Sequence, residues 1–145
     1  MLLDVARLEQ LRAVHSSRHV FGRDSAAYYK GRPGLAERFS NADAAVQDSI
    51  HPLIVRHPTS GRQALYVNPA FTVGIEGWDN GESAPFLSML YEHVVRPEHT
   101  YRYQWAPGSI AFWDNRATWH YAVNDYHGSR RLMHRITIEG VPLEA

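Results

Sequence analysis

The chain has 145 residues, with 44% hydrophobic and 21% charged positions, a composition that supports one folded core and excludes a disordered polymer. Fifteen basic and fifteen acidic residues cancel, so no net field draws it to nucleic acid or to an anionic membrane. It contains no cysteine, which excludes disulfides and thiolate metal sites and leaves nine histidines and the carboxylates as the metal-binding repertoire.

In chain order, the spacing of Val5, Leu8 and Leu11 predicts a helix over Leu2–Val14. The start lacks the basic and apolar runs of a signal peptide, and no window reaches membrane-span length, so a cytoplasmic chain is expected. Residues 16–40 read as a polar loop with a short helical piece near Ser25–Tyr29, and Ala42–Ile50 as a further helix. From His51 the pattern changes to strand and turn. Leu53-Ile54-Val55 and Ala64-Leu65-Tyr66-Val67 flank the turn Thr59-Ser60-Gly61-Arg62 and predict a hairpin, with His51 and His57 as strand-end residues open to a ligand role. Residues 71–81 read as irregular.

Ser83 is the expected cap of a helix carrying Phe86, Leu87, Leu90, Tyr91 and Val94 on one side, ended by Pro97. Thr100–Trp105, Ile110–Trp113 and Arg131–Ile138 alternate as strands do, and Ala106-Pro107-Gly108-Ser109 is suited to a type II turn. The pattern gives an α+β chain with one domain over 1–145, helical through residue 50 and β-rich over 51–145.

His120 lies between Trp119 and Tyr121 after a strand end. Read alone it is either an ordinary loop histidine or a metal ligand. Period two puts Arg131 and Arg135 on one strand face, either in water or gripping anions, for which the guanidinium fork is well shaped. Asp114, Asn115 and Arg116 read as turn builders, the Asp and Asn side chains being suited to bond their own backbone. Phe71 and Tyr66 are core candidates.

Taken together, Trp113-Asp114-Asn115-Arg116-Ala117-Thr118, His120-Tyr121-Ala122, Asn124-Asp125-Tyr126 and Arg130-Arg131-x-Met133-His134-Arg135-x-Thr137-Ile138 closely resemble the carboxy-terminal signature of the taurine/2-oxoglutarate dioxygenase family. The resemblance extends upstream through His51-Pro52, Arg56-His57-Pro58, Gly61 to Asn68, Phe71-Thr72, Glu82-Ser83, Glu92-His93, Arg96-Pro97-Glu98 and Trp105-x-Pro107-Gly108. It implies a partial double-stranded β-helix (jelly roll), and Fe(II), 2-oxoglutarate and O2 as cofactor and co-substrates. It also implies a small anionic substrate, with taurine or another alkylsulfonate leading and release of sulfite, and alkyl sulfates or aryloxy acids as alternatives. By the same resemblance His120 is a metal ligand, Arg131 holds the 2-oxoglutarate carboxylate, Arg135 holds the substrate anion, and Phe71 walls the substrate pocket.

The family pattern also requires a His-x-Asp or His-x-Glu pair. The residues two places after the nine histidines are Ser17, Phe21, Leu53, Thr59, Val95, Tyr101, Ala122, Ser129 and Ile136, none of them acidic. Two of three iron ligands are therefore absent. The chain is expected to be a truncated, carboxy-terminal portion of such an enzyme and inactive alone, a homo-oligomer or the partner of a complementing chain, or else a non-catalytic interaction module.

Overall fold

The structure is a computed structural model that describes residues 4–22, 30, 48–123 and 125–145. Helix α1 spans Val5–Leu8, β1 Arg12–Ser16, α2 Arg18–Phe21, β2 Asp48–Pro52, β3 Ile54–Arg56, β4 Gln63–Leu65, β5 Thr72–Ile75 and α3 Asn80–Val94, followed by a 3-10 turn at Pro97–His99. Mixed helix and sheet is the architecture expected, but several boundaries move.

The first correction concerns the amino-terminal helix. It stops at Leu8, and Arg12–Ser16 is a strand. Only Leu8 of α1 is buried, so the periodic spacing of Val5, Leu8 and Leu11 is not a core-facing stripe. β1 instead lies in the middle of a three-stranded antiparallel sheet of order β2-β1-β5, with Ala13 opposite both His51 and Ile75. A central position satisfies the backbone groups on both edges of the strand, and this outweighs a weak helical preference. The helix expected over Ala42–Ile50 is likewise a strand from Asp48 on, and its earlier residues, like the helical piece near Ser25–Tyr29, lie outside the described residues. The helical amino-terminal third is thus replaced, where described, by two single-turn helices and two strands.

The hairpin forms as expected, with Ile54 opposite Leu65 and Arg56 opposite Gln63. Its strands are short and depend on the neighbouring sheet. Leu53 N–H donates to the Leu11 carbonyl (2.9 Å), and the Leu53 carbonyl accepts from Tyr66 N–H (2.7 Å). Leu53 is fully buried at this junction.

Residues 71–81 are not irregular throughout, because Thr72–Ile75 is strand β5. Gly74 hides it: a strand glycine contributes no side chain to a periodic pattern. The glycine lies under α3, and Ser83 Oγ is 3.7 Å from where its Cβ would be.

Helix α3 begins four residues earlier than a cap at Ser83 predicts. Asp79 is the cap: its carboxylate accepts from Glu82 N–H (2.9 Å), and the Glu82 carboxylate accepts in return from Asp79 N–H (3.4 Å). Reciprocal bonding of this kind satisfies two otherwise orphaned donors. Ser83 has a different task. Buried to 2% exposure, its hydroxyl accepts from Ile75 N–H (3.1 Å) and fixes the helix to β5. Leu87 and Leu90 continue the same face into a core of Leu8, Ala13, Leu53, Ile54, Val67 and Ile75.

The largest departure lies beyond Thr100. The turn at Ala106–Ser109 closes as expected, with Ser109 N–H donating to the Ala106 carbonyl and Gly108 at φ +83°. Yet Thr100–Trp105, Ile110–Trp113 and Arg131–Ile138 form no ladder among the described residues, where the sole pairing after Ile75 is the bridge of Arg56 with Glu144. Alternation marks a segment that fits a sheet, but a strand exists only beside a hydrogen-bonding neighbour. Without one, Phe112 is 91% exposed and Ile136 91%.

The energetic weight therefore lies under α3. Leu90→Ala is expected to lower stability by about 2–5 kcal/mol, the usual cost of emptying a buried leucine site. Asp79→Ala is expected to cost only about 1 kcal/mol, one lost cap. Urea unfolding of both variants checks the order; a larger loss in the cap variant would contradict this account of the core.

Candidate functional site

The residues singled out by sequence depend on a turn built by Asp114. Its backbone carbonyl accepts from Ala117 N–H (3.2 Å), Thr118 N–H (3.0 Å) and the Thr118 hydroxyl (2.5 Å). Its carboxylate takes the Arg116 N–H (2.8 Å) and is forked by the Arg116 guanidinium, through Nε (2.9 Å) and Nη2 (2.6 Å). The fourth donor comes from far away: His57 Nε2 lies 2.9 Å from Oδ2. Hydrogen bonds from Arg116, first side chain and then backbone, hold the Asp114 carboxyl far below the usual carboxylate range, with His57 adding to the effect. Asp114 therefore stays ionised.

The His57 tautomer follows from its other contacts. Nδ1 accepts from Thr59 N–H (3.3 Å) and Ser60 N–H (3.1 Å), so it carries no proton in the neutral ring. The proton is on Nε2 and is donated to Asp114. The hairpin turn and the Asp114 turn are thereby joined.

Two indoles flank the next step. Trp119 packs against the core and Tyr91, and its Nε1–H donates to the Val67 carbonyl (2.8 Å). Trp113 donates Nε1–H to Asn115 Oδ1 (2.9 Å), and its ring lies 5.0 Å from the His120 ring. Asn115 thus bonds an indole and not its own backbone, which corrects the sequence expectation; Asp114 and Arg116 do form the expected turn.

His120 projects from this scaffold. Partial burial, and then the charge of Arg135, push its pKa below the ordinary histidine value. The neutral ring, with a lone pair free, is the form that can ligate a metal. The charge of Arg135 therefore bears on His120. Arg131 sits over the Tyr126 ring, 5.8 Å from its centroid. Neither arginine has a carboxylate in ion-pair range among the described residues, in contrast to Arg102, which pairs with Asp125, and Arg116. Phe71 immediately precedes β5. Its carbonyl accepts from Ser16 N–H (2.8 Å) and its ring packs on Phe21, 5.9 Å away.

The metal question has a plain answer for this set. Among the described residues no group of three His, Asp or Glu side chains is placed to hold a metal ion. One imidazole does not make an Fe(II) site, because affinity comes from several ligands in fixed geometry.

A second histidine cluster is not visible in the sequence. His15 on β1 lies 5.4 Å from His51 and 5.3 Å from Tyr66, ring to ring. The Thr72 hydroxyl accepts from Asn68 N–H (2.8 Å), so its own proton is free to point at His15 Nδ1 (3.3 Å). His15 Nε2 is buried without a hydrogen-bond partner among the described residues. Burial first, and the nearby His51 second, lower His15 to about 4. The signal that could reveal the cluster is β1 itself, whose residues read as helix and loop.

With the geometry in place, comparison with known proteins is decisive. Residues 3–137 match the family described as taurine catabolism dioxygenase TauD, TfdA family. The chain belongs to this family. It is 36% identical over 133 residues to an alkylsulfatase of Acinetobacter baylyi, a match that covers 91% of this chain and 41% of that protein. It is 40% identical over 97 residues to an alpha-ketoglutarate-dependent sulfate ester dioxygenase of Pseudomonas putida, covering 67% of this chain and 32% of the relative. Among solved structures, a taurine dioxygenase from Burkholderia xenovorans aligns with a TM-score of 0.56 and 34% identity, over 80% of this chain and 34% of that one. The chain thus spans about two fifths or less of the length of these family members. Among the described residues, no helix is long and apolar enough to cross a membrane.

The lowered pKa of His15 is expected to make stability depend on pH. An unfolded chain protonates His15 near its usual 6.5, whereas the folded chain holds it neutral down to about 4, so the unfolded state binds more protons in that window. Stability is expected to be fully present above the upper value and to decline as pH falls toward the lower one. His15→Gln should flatten this decline, as read from urea midpoints at about pH 7 and about pH 5. An unchanged slope in the variant would remove His15 as its source.

Proposed function

We propose that this chain is the carboxy-terminal part of an Fe(II)- and 2-oxoglutarate-dependent dioxygenase of jelly-roll type. In this reading His120 is one iron ligand, Arg131 pairs with a carboxylate of 2-oxoglutarate, Arg135 grips the anionic group of the substrate, and Phe71 lines its apolar part. The observation that carries the reading is the placement of His120: an imidazole against the Trp113 ring, two residues beyond a turn pinned at Asp114, with Arg135 as the charge that bears on it. Both Arg131 and Arg135 are without carboxylate partners among the described residues. Unpaired guanidiniums suit anionic ligands that bring their own charge.

The substrate class is a small alkyl anion bearing a sulfo group. A sulfonate such as taurine, oxidised at the carbon next to sulfur by O2, would give an aldehyde and sulfite, while 2-oxoglutarate becomes succinate and CO2. A second reading, a sulfate ester giving an aldehyde and sulfate, is favoured by the names of the Acinetobacter baylyi and Pseudomonas putida relatives. Arginine recognises both head groups, since each offers three oxygens to the guanidinium fork.

The chain by itself holds one candidate ligand, so it is inactive alone in this reading and needs a His-x-Asp or His-x-Glu pair from additional polypeptide, in cis or from a complementing chain. The test supplies Fe(II), 2-oxoglutarate and O2 with either taurine or an alkyl sulfate, and measures succinate, sulfite and aldehyde. The 145-residue chain should give no turnover, and a protein completed with a segment carrying the missing pair should turn over one of the two substrates. In the completed protein Arg131→Ala should weaken 2-oxoglutarate binding by about tenfold or more, the loss of a charge-assisted bidentate contact. Arg135→Ala should weaken only the substrate. Stoichiometric Fe(II) binding with turnover by the chain alone would overturn the one-ligand reading, and a completed protein inert toward both anions would overturn the function.

A further inference from the structure

We propose that His57 is a positioning residue for His120, acting through the Asp114 carboxylate. This rests on the reading of His120 as a metal-facing imidazole. His57 is in the hairpin turn, far from His120 in sequence, yet its Nε2–H is the donor to Asp114 that lies outside the Asp114–Arg116 turn itself. Among the described residues, its other donors all come from Arg116, two residues away. Arg116 can fold the turn back on itself, but it cannot fix the turn's position relative to the core. His57 can, because its own ring is held by two backbone N–H groups at Thr59 and Ser60.

The chain of contacts then runs to His120 from two sides. Asp114 anchors the turn, and within it Asn115 holds the Trp113 indole against the imidazole. After the turn, Trp119 is tied to the Val67 carbonyl one residue before His120. Trp119 fixes the height of the backbone; the His57–Asp114 bond fixes the tilt of the turn that carries Trp113. A rotation of that turn would take the indole off the His120 ring without disturbing the core.

The alternative is that His57 serves only the hairpin. Two substitutions separate these roles, because they keep different halves of the imidazole's bonding. The shorter amide introduced by His57→Asn places an acceptor near the Nδ1 position for Thr59 and Ser60 but does not reach Asp114. The longer amide introduced by His57→Gln reaches Asp114 with an N–H but gives up the hairpin acceptor.

The experiment uses the full 145-residue chain, isotopically labelled and without metal or substrate. The NMR readouts are the ring-current shift that Trp113 imposes on the His120 ring protons and the amide exchange of Ala117 and Thr118. In His57→Gln the shift is expected to persist. In His57→Asn it should collapse, and exchange at Ala117 and Thr118 should rise about tenfold, as for one lost charge-assisted hydrogen bond. The backbone amides at Gly61 and at position 57, which bond within the hairpin, should stay protected in that variant.

The opposite pattern, or an unchanged shift in both variants, would overturn the proposal. Loss of the shift in both variants would overturn it as well, because His57→Gln keeps the donor to Asp114. No step of this test involves iron, so its failure is separate from failure of the functional reading, which is read from succinate formation in the completed protein.

Discussion

One carboxylate governs the geometry of the candidate site. Asp114 collects donors from the Arg116 backbone, the Arg116 guanidinium and His57, and its carbonyl closes the turn onto Ala117 and Thr118. The group is only part-buried, so its strength comes from the number and charge of its donors and not from a low dielectric. Remove it and three things lose their reference at once: the turn, the Trp113 indole and the direction of His120.

The rest of the molecule gives that carboxylate something firm to hold. β1 runs through the middle of the three-stranded sheet, Leu53 bridges sheet and hairpin, and the Ser83 hydroxyl fixes α3 to β5. Trp119 reaches this assembly through Val67 and Tyr91. The polar site is thus attached to the apolar core at two points, His57 and Trp119, on opposite sides of the turn in sequence.

What is legible in the sequence is what is local or shared with a family. The β3–β4 hairpin, the turn at Ala106–Ser109 and the existence of α3 follow from residues within a few positions of one another. The family signature around Trp113 to Ile138 is legible because its residue types and order are specific. β1 is not, since Val5, Leu8 and Leu11 imitate a helix and only a strand on each side reveals Arg12–Ser16. β5 is hidden by Gly74, and the cap moves because Asp79 and Glu82 outcompete Ser83, whose hydroxyl is engaged elsewhere. Within the site, the turn at Asp114 is readable, whereas its bond to His57 is not: nothing local announces a contact between residues so far apart. The strands expected after Thr100 show the converse failure, a strand-like local pattern without a neighbour to complete it.

The two attachments of the turn also set an order of assembly. The His57–Asp114 bond spans 57 residues and the Trp119–Val67 bond 52. Contacts of such separation carry a larger loop-closure entropy than a hairpin or a helix turn, and they form only after local structure has shortened the effective loop. Helix α3 lies between the joined residues in both cases, so its formation brings the ends together. The β1–β5 pairing of the core joins residues just as distant in sequence, such as Ala13 and Ile75, so the imidazole takes its direction from the same class of long-range contact that closes the core.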